Sequence, residues 1–250
     1  MCKLHNGVTG HRGDPQHFPQ NTIAGFESAI KMNCDWVETD IHLTRDGKVV
    51  ISHDPFTLLE GDRQCIISQC DLSELRKVNM AARFNMLHDD REPIFAAMPT
   101  LEETLELFRS QDKVKLSLQP KAPGVIPIAA KIIRQMKFPT EMLGFNDGNL
   151  DYMLLAQNEF PEAEIFYDRS TIDKLDEDIA IAQKFGFRNL VVNEFHLTAG
   201  AAARILEANL IPGVWNINNP GEMDRFIAMG VQRFYTDFPA VLIKKLQSRF

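Results

Sequence analysis

The sequence has few cysteines and no long apolar run, and both shortages limit what kind of protein it encodes. Its four cysteines show no CxxC spacing, which is typical of reduced thiols in a reducing compartment. A Cys65–Cys70 bridge is the alternative. No stretch is long and apolar enough to cross a bilayer, and the first fifteen residues lack the pattern of a signal peptide. We therefore predict a cytoplasmic protein without a membrane partner.

Blocks of charge of one sign are also missing. The chain has 27 basic and 34 acidic residues and a formal charge of -7, and these charges are dispersed. The absence of a basic block argues against a nucleic-acid partner. Because the net field is mildly repulsive to anions, an anionic substrate would need a few local basic residues or a bound cation.

What the chain does have is a regular alternation of short apolar runs and longer helical patterns. From Asp112 onward this rhythm is typical of βα units with a parallel sheet. With 250 residues and 44% apolar composition, the chain suits one TIM (β/α)₈ barrel, and we predict a single domain over residues 1–250. The eight predicted strands are Leu4–Thr9, Trp36–Leu43, Lys113–Gln119, Glu141–Phe145, Ala163–Phe166, Asn189–Val192, Ile211–Asn216 and Arg233–Thr236.

The segment from about residue 54 to residue 98 is too long for a simple βα loop. It follows an additional apolar strand at Val49–Ser52 and contains a short predicted helix at Leu72–Val78. We expect this segment to be an insertion over the barrel mouth. Its apolar side chains would suit a contact in a homo-oligomer.

Two carboxylates in the second predicted strand are the first candidate for chemistry. Glu38 and Asp40 alternate with Val37 and Ile41, so both acidic side chains share one face of the strand. Two buried carboxylates repel each other unless a cation neutralises them. A hard divalent cation is one partner, and a barrel lysine or arginine such as Lys121 is the other.

Two histidines follow apolar runs and are candidates for proton transfer. His11 begins the motif His11-Arg12-Gly13 after the first strand, and His53 follows the run that ends at Ser52. Both residues lie where active sites of parallel barrels form, and they would serve as an acid and base pair. Arg12 can bind a phosphate or a carboxylate with two hydrogen bonds. The alternative for either histidine is an ordinary hydrogen bond in a loop.

These residues belong to a series of short motifs. The series comprises His11-Arg12-Gly13, Pro19-Gln20-Asn21-Thr22, Glu38-Thr39-Asp40, Thr44-Arg45-Asp46-Gly47, His53-Asp54, Pro99-Thr100-Leu101-Glu102-Glu103, Trp215-Asn216-Ile217-Asn218 and Thr236-Asp237-Phe238-Pro239. Its order and spacing resemble the successive signatures of the glycerophosphodiester phosphodiesterase family over nearly the whole chain.

The resemblance implies metal-dependent hydrolysis of a small-molecule glycerophosphodiester to an alcohol and glycerol 3-phosphate. It implies a divalent cation, Mg²⁺ or Ca²⁺, held by Glu38, Asp40 and a third ligand on the next barrel strand. His11 and His53 would be the acid and base pair, and Arg12 and Lys121 would contact the phosphate. The alternatives are another phosphodiester substrate, such as a sugar phosphodiester, and a non-catalytic barrel that binds phosphoesters.

Three further positions qualify this interpretation. The third metal ligand falls on Gln119, where the family has a glutamate, and Gln20 likewise replaces a glutamate. Both differences remove a negative charge, so we expect weaker attraction for the cation. Trp215 is predicted to contact the alkyl part of the substrate or, alternatively, to pack in the core.

Overall fold

Nine strands form one sheet in the computed structural model, which describes residues 6–248. Eight of them are parallel and close into a barrel, because β1 pairs with both β2 and β9. Only β3 is antiparallel, and it extends from the upper half of β2. The strands are β1 Val8–His11, β2 Trp36–Leu43, β3 Val49–Ile51, β4 Lys115–Pro120, β5 Leu143–Asp147, β6 Glu164–Arg169, β7 Asn189–Asn193, β8 Ile211–Trp215 and β9 Arg233–Thr236.

The predicted TIM barrel is thereby confirmed, with small changes at the strand ends. β2 and β9 match their predicted bounds. β1 runs to His11 instead of ending at Thr9, so His11 is the last residue of the strand. Residues 4 and 5 of the first predicted strand lie outside the described residues, as does Cys2. Cys34, Cys65 and Cys70 are free thiols, so the alternative Cys65–Cys70 bridge is not formed.

The helices surround the barrel, and residues of the motifs cap several of them. Thr22 Oγ1 accepts a hydrogen bond from the backbone of Gly25, and Thr100 forms a reciprocal capping box with Glu103. These threonines therefore serve the fold by satisfying free backbone groups at helix N-termini. The helices are α1 Ile23–Lys31, α2 Leu72–Leu75, α3 Ala82–Leu87, α4 Leu101–Arg109, α5 Val125–Gln135, α6 Leu150–Glu159, α7 Leu175–Phe185, α8 Ala199–Glu207, α9 Pro220–Ala228 and α10 Pro239–Gln247.

The barrel interior is filled in layers, as the alternation of strand side chains requires. Trp36, Phe166, Val191 and Tyr235 form a buried cluster inside it. Below them, at the N-terminal ends of the strands, lies Arg233, which is paired with two acidic residues. The polar residues of the motifs lie above the cluster, at the C-terminal ends. The interior packing therefore separates the two polar ends of the barrel.

The insertion has a small core of its own, built from Val50, Ile67, Leu75 and neighbouring apolar residues. It contains a 3₁₀ helix at Ile67–Gln69, and its predicted helix is shorter than expected, since α2 ends at Leu75. The helix α3 was not predicted. Three points stay predictions: the position of the insertion over the whole barrel mouth, the single-domain organisation, and a contact in a homo-oligomer.

Within residues 6–248, no helix is both long enough and apolar enough to cross a membrane. The cytoplasmic location stays a prediction from cysteine usage.

Candidate active site

A cavity of about 290 Å³ opens at the C-terminal ends of the barrel strands. This is the size of a site for a small ligand, at the face where barrel enzymes carry their active sites. Seven of the eight predicted site residues line it, and the eighth, Asp40, lies behind Arg12 and Lys121. The lining residues are His11, Arg12, Glu38, His53, Gln119, Lys121, Asn146, Gly148, Asp168, Ser170, Trp215, Asn216 and Tyr235.

Asp40 is fully buried and held by two cations. Its Oδ2 lies 3.5 Å from Nε of Arg12, and its Oδ1 lies 3.3 Å from Nζ of Lys121. Asn21 donates a further hydrogen bond of 3.0 Å to Oδ2. Burial alone would raise the pKa of Asp40, but the two cations outweigh it and hold the pKa below its ordinary value. For Asp40, the pairing with barrel cations proposed as the alternative is present.

Glu38 is equally buried but has no such partner. Its Oε2 makes no hydrogen bond, and Nε2 of His11 lies 4.0 Å away. Burial and the neighbouring charge of Asp40 together raise the pKa of Glu38 to about 7. A buried acceptor without a partner is costly unless a ligand or ion satisfies it. Glu38 is therefore the carboxylate that is prepared for a ligand.

His11 is oriented by a carboxylate from the last strand–helix loop. Its Nδ1 lies 2.6 Å from Oδ1 of Asp237, so Nδ1 donates the hydrogen and Nε2 is the acceptor, with the side-chain nitrogen of Asn216 3.3 Å away. Asn218 donates a hydrogen bond of 2.6 Å to the other oxygen of Asp237. Burial raises the pKa of Asp237, but the hydrogen bond with His11 more than compensates and lowers it. The arrangement suits a general base or acid at Nε2.

His53 lies at the other side of the cavity and has a carboxylate partner of its own. Its Nδ1 is 3.1 Å from Oδ1 of Asp54. Its backbone oxygen is 3.1 Å from Nε2 of His42, a hydrogen bond in which the imidazole donates. Burial lowers the pKa of His53. His42, on β2, thus holds the loop that carries His53.

Arg12 has a restrained backbone and side chain. Its φ of 58° is in the left-handed region that non-glycine residues seldom adopt, and such conformations occur frequently at functional sites. Nη1 donates a hydrogen bond of 2.8 Å to Gln20, and the Gln20 amide in turn hydrogen-bonds Glu60 of the insertion. The glutamine therefore bridges a cation and a carboxylate, which a glutamate at that position would not do.

Gly13 allows two backbone segments to approach each other closely. Its φ is 98°, and a Cβ there would lie 2.8 Å from the backbone of Gly25. The glycine is needed for the close approach of this loop to α1, rather than for access of a ligand.

Gln119 lies beside Asp40 in the register of β2 and β4. Its amide nitrogen is 3.4 Å from a carboxylate oxygen of Asp147, so its Oε1 is the atom left for another ligand. Glu38, Asp40 and Gln119 thus offer oxygen donors suited to a hard cation. In the part of the chain that is described, no three His, Cys, Asp or Glu side chains come together as metal ligands.

Several residues of the site were not predicted. Asp54, Asn216 and Asp237 belong to motifs that were recognised in the sequence. No role was predicted for these three residues themselves. Asp168 and Tyr235 lie in strands outside any functional motif. Their inward orientation depends on how the barrel closes, which local sequence does not reveal.

Known proteins resemble this chain along nearly its whole length. A glycerophosphodiester phosphodiesterase of Caldanaerobacter subterraneus is 25% identical over 259 residues, covering 94% of this chain and 96% of that relative. An Oleispira antarctica phosphodiesterase, solved in complex with the product sn-glycerol-3-phosphate, has a TM-score of 0.82 at 22% identity and coverage of 96% of both chains. A glycerophosphodiester phosphodiesterase of Thermotoga maritima has a TM-score of 0.73 at 22% identity, covering 96% of this chain and 98% of the other.

The family model of the glycerophosphoryl diester phosphodiesterases matches residues 11–241. This match begins at His11 and ends beyond Asp237, so it includes both His11 and the carboxylate that orients it. The chain therefore belongs to the glycerophosphoryl diester phosphodiesterase family.

Proposed function

We propose that this chain hydrolyses a glycerophosphodiester to an alcohol and sn-glycerol 3-phosphate by acid and base catalysis of His11 and His53. The observation that carries the proposal is the convergence of both imidazoles, Arg12 and Lys121 on one cavity. Each imidazole has a carboxylate on its Nδ1, which is the arrangement that orients a catalytic histidine. The product bound to the Oleispira antarctica relative agrees with this substrate class.

In the proposed reaction a water oxygen forms a bond to phosphorus while the bond from phosphorus to the leaving alkoxide breaks. One imidazole takes the proton of the water, and the other gives a proton to the alkoxide, so that the pair exchanges its protonation states. Arg12 and Lys121 stabilise the negative charge that develops on the phosphoryl oxygens. Such proton transfer typically contributes about 10²- to 10⁴-fold in rate.

A divalent cation, Mg²⁺ or Ca²⁺, fits the same residues. The unpartnered Oε2 of Glu38 is a buried acceptor, and Asp40 and the free oxygen of Gln119 complete a set of hard ligands. The cation would supply Lewis-acid stabilisation of the phosphoryl oxygens. When Asp40 also binds the cation, Arg12 and Lys121 can contact the phosphate.

Trp215 completes the proposed substrate site. Its indole lines the cavity and also packs against the buried cluster of the barrel interior, so it is positioned both as a wall of the site and as part of the core. A sugar phosphodiester would use the same phosphate chemistry and differ only in the leaving group. A non-catalytic barrel would have no need of two oriented imidazoles.

The test is release of glycerol 3-phosphate from glycerophosphocholine, measured with added Mg²⁺ or Ca²⁺. We expect His11→Ala and His53→Ala each to lower kcat by about 10²-fold or more. The matched control is His196→Ala, an exposed histidine in the loop after β7, which should keep full activity. Wild-type protein that releases no product from any glycerophosphodiester, or a His11 variant as active as the control, would refute the proposal.

A further inference from the structure

The insertion contributes a carboxylate to the side of the cavity that carries Arg12. Glu60 forms a hydrogen bond with the Gln20 amide, and the oxygen of that amide accepts one of 2.8 Å from Nη1 of Arg12. Because the Gln20 oxygen is occupied by the arginine, its nitrogen is the atom that donates to Glu60. Two hydrogen bonds in series thus link the insertion to a cation of the candidate active site.

Glu60 is held from the other side by the insertion itself. Its backbone oxygen accepts a hydrogen bond of 3.0 Å from the backbone of Arg83 on α3, and its Oε1 lies 3.7 Å from Nη1 of the same arginine. The turn that carries it is also fixed, since the backbone nitrogens of Glu60 and Gly61 both donate to the carbonyl oxygen of the buried Thr57. Glu60 is therefore an acceptor in a fixed position for the Gln20 amide.

The guanidinium of Arg12 is restrained at two of its nitrogens. Its Nε lies 3.5 Å from Oδ2 of Asp40, and its Nη1 is held by Gln20. Neither contact uses Nη2, which remains for a phosphate oxygen at the cavity that Arg12 lines. If the Gln20 side chain lost its acceptor, it would be free to rotate, and the plane of the guanidinium would then be fixed by Asp40 alone.

We propose that Glu60 is a positioning residue, which orients the guanidinium of Arg12 toward the phosphate of the substrate through the Gln20 amide. The inference rests on the proposed function, because it concerns how the phosphate of that substrate is bound. Glu60 does not belong to the lining of the cavity, so it acts through Gln20 and Arg12. Its side chain is only 20% exposed, and a hydrogen bond shielded from water in this way is stronger than an exposed one.

The first test compares Glu60→Met with Glu60→Gln. Both variants remove the same negative charge, and only the glutamine keeps an oxygen that accepts from the Gln20 amide. We expect Glu60→Met to bind sn-glycerol 3-phosphate about fivefold more weakly than Glu60→Gln, as for the loss of one hydrogen bond, measured by titration calorimetry. The matched control is Glu74, an acid of α2 that pairs with Arg45. Its methionine and glutamine variants should bind the ligand equally.

The second test asks whether Glu60 acts through Gln20. Gln20→Met breaks the chain at its centre, so Glu60→Met should cause no further loss of affinity when it is added to that variant. A role of Glu60 that is only structural would instead multiply the two losses. Denaturant unfolding of each variant measures this structural contribution separately.

Three results would overturn the positioning role. They are equal affinities of Glu60→Met and Glu60→Gln, losses that multiply in the double variant, and a wild-type protein that does not bind sn-glycerol 3-phosphate. Release of glycerol 3-phosphate is measured on the same preparations. Hydrolysis with losses that multiply refutes the positioning role alone, whereas coupled binding without hydrolysis refutes the proposed reaction and supports the positioning role.

Discussion

The two ends of the barrel interior both contain buried charged groups, and they differ in how completely these groups are paired, although Asp40 at the C-terminal end is held by two cations. At the N-terminal end, Arg233 is 4% exposed and lies 3.2 Å from Asp35 and 3.4 Å from Glu164. At the C-terminal end, Glu38 and Asp168 each have an oxygen without any partner. Complete pairing and incomplete pairing of buried charged groups thus occur at the two ends of one barrel. We expect the ion pairs of Arg233 to stabilise the fold, and the unpaired oxygens of Glu38 and Asp168 to belong to the candidate active site.

The largest expected effect is the loss of stability when the ion pairs of Arg233 at the N-terminal end are removed. Arg233→Met would leave Asp35 and Glu164 buried without their cation, and we expect a loss of about 3–5 kcal/mol in the free energy of unfolding. The measurement is denaturant unfolding at equilibrium. Arg109→Met is the matched control, since Arg109 forms an exposed pair with Glu106, and such pairs contribute about 1 kcal/mol or less. Equal losses in the two variants would show that the paired end does not stabilise the fold.

The next effect is on catalysis at the unpaired end. Asp237→Asn keeps the shape of the side chain but removes the negative charge that orients His11, so we expect kcat to fall about 100-fold with KM little changed. A purely structural role would instead lower the free energy of unfolding in proportion. Asp54→Asn makes the same change at the longer contact with His53 and should have a smaller effect. An unchanged kcat in Asp237→Asn would exclude the orienting role.

The sequence predicted the barrel well because its signals are local. The βα rhythm and the alternation in β2 depend on neighbours along the chain, and the bounds of β2 and β9 matched. α3 was missed because it has only six residues and buries no side chain. The inward faces of Glu38 and Asp40 follow from strand alternation, so this part of the candidate site was predictable too.

The positions of Asp168 and Tyr235 in the site were beyond prediction for a physical reason. Asp168 and Tyr235 come together only because β6 and β9 are on one closed barrel, with β7 and β8 between them. No short-range pattern marks either residue. The same holds for the bridge from Arg12 through Gln20 to Glu60, because Glu60 comes from the insertion. Gln20 looked like a lost charge in the sequence, whereas the structure gives the amide a role of its own.

Gln119 differs from Gln20 in this respect, and the difference is testable. Its amide makes only a long contact with Asp147, so a carboxylate there would add negative charge beside Asp40 and Glu38. We expect Gln119→Glu to tighten Ca²⁺ or Mg²⁺ binding about tenfold, measured by calorimetry. Gln20→Glu adds the same charge beside Arg12 and is the control, with little expected change. If cation affinity does not rise in Gln119→Glu, residue 119 is not the third ligand.

The smallest expected effect is the pH dependence of stability that comes from Asp168 at the C-terminal end. Because burial raises the pKa of Asp168, the folded protein keeps a proton that the unfolded chain releases above about pH 4. Stability contributed by that proton is complete below the unfolded pKa and is lost as pH rises toward the folded pKa. Asp168→Asn removes the titration, so unfolding free energies should agree with wild type near pH 4 and exceed it by about 1 kcal/mol at pH 7. Asp173→Asn, at an exposed site, should show no such divergence. A variant that is less stable than wild type at pH 7 would mean that Asp168 is paired in the free protein, and the contrast between the two ends of the barrel would fail.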